Sequence, residues 1–224
     1  MFSNFFQTLG ALDSIRVTLI MSFFSTLISA LLGIPAGLLL EKIKMPGKKL
    51  IVRILRTLMG IPPVVVGLVA YMILRRKGPL GDFKMLFTIQ GMVFAQVLII
   101  TPIICGMVYS YASSSAPAIR EFAKTMRANG KQTSLLLISE MKHEICFAVL
   151  SGFSRSISEV GAVFLVGGNI KNNTRTMTTA ISTLKNAGEF QEGIMLGVIL
   201  LLIAFVVQTL SDYLQREDFG HENY

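Results

Sequence analysis

Charge is scarce in this sequence. Asp, Glu, Lys and Arg make up 15% of its 224 residues against 52% hydrophobic, and the mean hydropathy is +0.63. A soluble domain carries about a quarter charged residues, so the scarcity excludes an ordinary soluble globule and points to a bilayer protein. There are only two cysteines, Cys105 and Cys146, both in apolar runs and without Cys-x-x-Cys spacing. They read as small buried hydrophobes, not as a disulfide or a metal site. The two histidines, His143 and His221, read as interfacial, which leaves no catalytic residue and no metal ligand set to nominate. A Gly-x-x-x-x-Gly-Lys-Ser/Thr loop is also missing: Gly47-Lys48 has neither the upstream glycine nor the hydroxyl residue. The chain therefore has no usual means of binding ATP, and no cofactor of its own is expected. The net charge of +8 comes without an aromatic-basic patch outside the apolar runs, so nucleic acid is not the expected partner; anionic lipid beside cytoplasmic loops is.

What the sequence does contain is apolar runs of spanning length. A span needs about 20 mostly apolar residues, and five segments qualify: 15–40, 54–74, 87–111, 144–166 and 194–210. Residues 1–14 lack a basic region and the run behind them is too long for a signal peptide, so Phe2-Ser-Asn-Phe-Phe6 reads as a short interfacial segment. Gly33-Ile-Pro35 predicts a kink near the end of the first span. The double proline of Ile61-Pro-Pro-Val-Val-Val-Gly67 predicts a kinked or broken second one. Ser113-Ser-Ser-Ala-Pro117 is expected to end the third helix, and residues 171–192 to form a polar loop. The prediction is an all-α integral membrane protein of about five transmembrane helices. It forms a single unit over residues 1–224, with no further domain expected after the last span.

Five spans place the termini on opposite sides. If the 41–56 connection, the 112–143 segment and the tail face inward, they hold twelve Lys/Arg against eight outside. The bias gives N-out, C-in.

Two segments break the apolar pattern at helical spacing. In the fourth span Ser151, Arg155, Ser158 and Ala162 recur at intervals of four, three and four. They therefore share a face of one continuous helix, flanked by Glu159. Arg155 and Glu159 are four apart and can pair, offsetting part of a cost of about 3 kcal/mol per unpaired charge at a span centre. The face is either a packing brace or the lining of a water-filled path or gate. The second segment, about 112–143, starts at Pro117, carries Glu121, Ala123 and Thr125, breaks at Asn129-Gly130 and restarts near Gln132. That describes a short helix-turn-helix along the membrane surface, bound either to anionic lipid or to a soluble partner.

Glu121-Phe-Ala123 followed by Ala128 and a new apolar helix resembles the cytoplasmic coupling motif of ABC-importer permeases. The family's glycine falls six residues after the glutamate, where this chain has Arg127; its nearest glycine is Gly130. Gly152-Phe-Ser-Arg155-Ser-Ile-Ser-Glu159-Val-Gly-Ala162-Val-Phe-Leu-Val-Gly-Gly-Asn-Ile170 closely resembles the matching span of tungstate-type permeases. The Ile61–Gly67 run, Gly78-Pro-Leu-Gly81 and Thr174-Arg-Thr-Met-Thr-Thr-Ala-Ile181 resemble them too. The resemblance implies a type I importer permease fold, a homodimer in a prokaryotic cell membrane. It implies docking of Glu121, Ala123, Thr125, Arg127, Ala128 and Gly130 on a separate ATPase homodimer that binds the ATP. Cargo would come from an extracytoplasmic oxyanion-binding protein, tungstate before molybdate or another oxyanion. Ser151, Arg155, Ser158, Glu159 and Ala162 would then form a path or gate. Outside the family, an ATP-independent anion channel or carrier would call for paired inverted segments and several intramembrane charge sites, and a membrane enzyme for a second converging group. The spans offer one charge pair.

Overall fold

The computed structural model describes residues 11–219, which form nine α-helices and no strand. The interfacial segment expected at Phe2–Phe6 and His221 lie outside the described residues. The first helix, α1 (Ala11–Lys42), continues through Pro35 to its end. Ser14, Thr18, Ser22, Ser25, Ser29, Gly33 and Gly37 recur every three or four residues and are all buried. This small-residue stripe lets α1 lie almost backbone to backbone on α4 (Ile89–Thr125), as small residues do between membrane helices. A Cβ on Gly37 would sit 2.7 Å from the Cys105 carbonyl oxygen. Met21 packs with Met92, and Gly33 lies over Ile104, so the two helices run parallel.

The second predicted span is two helices, α2 (Lys48–Met59) and α3 (Pro63–Leu74), meeting at 98°. Pro62 is extended and Pro63 takes the first helical position, where a missing N–H costs nothing. Gly60 and the proline pair thus convert the expected kink into a full break, and α2 begins six residues before the predicted start of the span. The fourth span is also broken: α6 (Lys142–Ile157) and α7 (Gly161–Gly167) meet at 60°. Ala162 therefore does not continue the face of Ser151, Arg155 and Ser158; it lies beyond the bend, buried against α3.

Pro117 does not end a helix. α4 runs for 37 residues through Pro102 and Pro117 to Thr125, because Ala112 and Ala116 stay buried against Leu137 and Met141. Packing on that face holds the helix where the lost proline donors would favour an end. Next, α5 (Gly130–Glu140) starts at Gly130, two residues before the predicted restart. Asn129 and Gln132 form a capping box there. The predicted 171–192 loop contains a helix, α8 (Met177–Ala187), capped by Thr176 and Thr179. The last helix, α9 (Phe190–Phe219), starts before and runs past the predicted span 194–210.

By length and composition α1, α4 and α9 are long enough to cross a bilayer. With each bent pair counted as one span the total reaches five. The centre of the bundle is the contact of α3 and α7 with α4, where Val66, Ala70, Ala95, Ile99, Ala162 and Val166 are buried together. Cys105 is buried and free, as a small hydrophobe would be.

Candidate functional site

The bend between α6 and α7 carries the fourth-span charges. Ser158 loosens the helix, its hydroxyl lying 3.1 Å from the carbonyls of both Ser154 and Arg155. The chain then turns, and the Glu159 side chain folds back into the protein with 2% of its surface exposed. One carboxylate oxygen meets the Arg155 guanidinium at 3.2 Å; the other accepts the Ala162 backbone N–H at 3.3 Å. The pairing expected from the i, i+4 spacing is present, but its geometry is asymmetric. Glu159 is sealed in, whereas the Arg155 side chain is 35% exposed.

Residues far along the chain hold this bend in place, and no pattern within the span marks them. The Thr178 hydroxyl donates to the Glu159 carbonyl at 2.9 Å. Beneath the bend the hydroxyls of Ser25 and Ser156 lie 3.0 Å apart, and the Gln96 amide donates to the Ser156 carbonyl at 3.4 Å. The Thr18 hydroxyl receives the Met177 N–H at 2.9 Å. The regular small-residue spacing along α1 is the signal that could have exposed Ser25 and Thr18; nothing local marks Gln96 or Thr178. On the other side, Gly67 of α3 lies against Ala162, whose Cα would be 2.5 Å from a Cβ added to the glycine.

The Gly167-Gly-Asn-Ile170 and Thr174–Ile181 motifs fold onto one another. Gly168 and Asn169 both have positive φ, 68° and 51°. Asn169 donates to the Thr183 hydroxyl at 2.7 Å and accepts from Arg175 at 3.2 Å. Thr174, buried, donates to the Gly167 carbonyl and accepts from the Ile170 N–H, so it is a structural tie within this fold-over.

At the far end of α4, Glu121 and Thr125 are exposed, Ala123 is buried and Ala128 is half-buried. The helix closes in a Schellman motif: Ala128 N–H donates to the Ala123 carbonyl at 2.9 Å and Arg127 N–H to the Lys124 carbonyl at 3.0 Å. Arg127 itself takes the left-handed conformation at φ 53°, the one glycine normally fills. The break is thus not shifted to Gly130, which has ordinary φ and open space around it. An Arg120–Glu41 ion pair of 2.6 Å ties this extension to the end of α1.

Comparison with known proteins matches residues 33–217 to the family described as binding-protein-dependent transport system inner membrane component. A tungstate uptake system permease protein of Peptoclostridium acidaminophilum is 39% identical over 203 residues, covering 91% of this chain and 89% of that protein. A probable anion ABC transporter permease protein of Haloferax volcanii is 37% identical over 200 residues, 87% and 86% of the two chains. A tungstate uptake system permease protein of Campylobacter jejuni is 35% identical over 169 residues, 75% and 71% of the two. With an all-helical bundle of up to five spans and a family match over most of its length, this chain belongs to the inner-membrane components of binding-protein-dependent transport systems.

Proposed function

We propose that this chain is the membrane-spanning permease subunit of an ATP-driven tungstate importer, working as a homodimer with its N-terminus outside and its C-terminus inside. The similarity to two tungstate permeases over most of the chain carries the reading. As a family member it works with a separate ATPase and a binding protein. The Schellman turn supports a rigid lever: it fixes Ala128 against Ala123 and leaves Glu121 and Thr125 facing outward to dock on the ATPase.

At the bend, Glu159 neutralises Arg155 and braces α7, so the carboxylate does not face a passing anion. Arg155, Ser158 and Ser151 remain for the gate, and two copies of this face meeting across a dimer axis would close the path. Selectivity then rests mainly with the binding protein.

The test is ATP hydrolysis in liposomes holding this chain, its ATPase and its binding protein, with tungstate, molybdate, sulfate or phosphate. Stimulation by tungstate above the other three is expected. Stimulation by molybdate or sulfate instead would replace the cargo and keep the machine. No stimulation by any anion, from a complex shown to be assembled, would refute the importer.

A further inference from the structure

α2 crosses α4 at a depth the geometry defines. Met59 packs on Gly106, where a Cβ would overlap its sulfur, and the Lys48 ammonium lies 5.5 Å from the centre of the Tyr109 ring. Gly106 and Tyr109 are 17 and 20 residues into α4. At 1.5 Å per residue that is about 26 and 30 Å along its axis, and the hydrocarbon core of a bilayer is about 30 Å thick. With the start of α4 at the opposite hydrocarbon boundary, α2 lies where hydrocarbon gives way to headgroups, and it is bent by 98° from α3.

The helix has three faces. Lys48, Val52, Leu55 and Met59 are half-buried toward α4. Leu50, Ile51, Ile54 and Leu58 are 38–58% exposed along one flank. Lys49, Arg53 and Arg56, all exposed, line the other. At 3.6 residues per turn the centres of those two flanks are about 150° apart. No carboxylate occurs between Glu41 and Asp82, and Glu41 is already engaged by Arg120. The basic residues, with Gly47 and Tyr109, border a groove of about 890 Å³.

The geometry points to a binding site on α2 for the headgroup of an anionic phospholipid, with phosphate on Lys49, Arg53 and Arg56 and acyl chains beside Leu50, Ile54 and Leu58. A free anion would use only the basic flank. A lipid accounts for both flanks and for the depth, since an interfacial helix combines apolar insertion with attraction to anionic headgroups. Placing the site in the cytoplasmic leaflet rests on the orientation proposed above; the headgroup site itself does not.

The test puts the full chain in phosphatidylcholine nanodiscs doped with phosphatidylglycerol carrying a photoreactive group near its headgroup. Both leaflets are present, so the outcome is independent of orientation. Crosslinks mapping to residues 45–57 are expected. They should fall about tenfold or more in the Lys49→Gln/Arg53→Gln/Arg56→Gln variant, since each basic residue near the surface is worth roughly fivefold. They should persist in the Arg75→Gln/Arg76→Gln/Lys77→Gln variant, with gel filtration showing both to be folded. Equal labelling by a phosphatidylcholine probe, labelling unchanged in the first variant, or labelling lost in both variants would overturn the site. Displacement by millimolar inorganic phosphate would also overturn it and assign the groove to a soluble anion.

Discussion

Glu159 holds the Arg155 guanidinium at 3.2 Å with one oxygen and the Ala162 N–H at 3.3 Å with the other, while only 2% of its side chain meets the surface. One carboxylate thus satisfies a charge on α6 and a free donor at the start of α7.

The two partners should respond differently to mutation. Arg155→Ala strands a buried carboxylate and is expected to cost about 3 kcal/mol. Glu159→Gln leaves an arginine already 35% exposed, free to reach water, and keeps an acceptor for Ala162; about 1 kcal/mol is expected. The double variant should recover part of the loss. Thermal unfolding in detergent measures all three. Glu159→Gln proving the more damaging would contradict the brace.

The pairing itself was legible because an i, i+4 spacing is local. The bend was not. Gly152–Ile170 contains no proline, and the interactions that stabilise the bend come from Thr178, Gln96 and Ser25, which no local pattern connects to it. Pro117 misled in the opposite sense: local chemistry says stop, and burial of Ala112 and Ala116 keeps the helix going. Tertiary contacts decided both cases. The α1 stripe was readable as small residues at helical spacing, although its partner helix was not.

Arg127 sits at φ 53° inside a glycine-type cap. The left-handed region costs an L-residue about 1–2 kcal/mol, so Arg127→Gly should stabilise the α4 end by about 1 kcal/mol. Arg127→Val, β-branched, should destabilise it. Amide hydrogen exchange over residues 120–132 reports the difference: slower in the glycine variant, faster in the valine one. Equal exchange in both would mean the cap is not formed in the membrane.

Two glycines test where space is short. A side chain at Gly67 would meet the Ala162 backbone, while Gly130 has nothing within 4 Å and ordinary φ. Gly67→Val should separate α3 from α7 at a cost of about 3 kcal/mol. Gly130→Ala should be neutral or gain up to about 1 kcal/mol in the first turn of α5. Expression and detergent melting compare them directly. A destabilised Gly130→Ala would show that the turn needs glycine at that position after all.

The end of α4 separates packing from docking. Glu121 is exposed and makes no contact that the helix needs, whereas Ala123 is 2% exposed and gives the carbonyl that closes the cap. Glu121→Ala should therefore leave the melting temperature of the isolated permease unchanged, since an exposed change away from any cap or core contact is worth within about 0.5 kcal/mol. In the reconstituted importer the same variant should lose most of its cargo-stimulated ATP hydrolysis if this surface meets the ATPase. Ala123→Glu forces a charge into the packed side of the turn, so stability and stimulation should fall together. Melting and stimulated hydrolysis, measured on the same two variants, make the distinction. A Glu121→Ala protein that melts normally and hydrolyses ATP at the normal stimulated rate would move the docking surface off this turn, because nothing in its folding would then account for the retained activity.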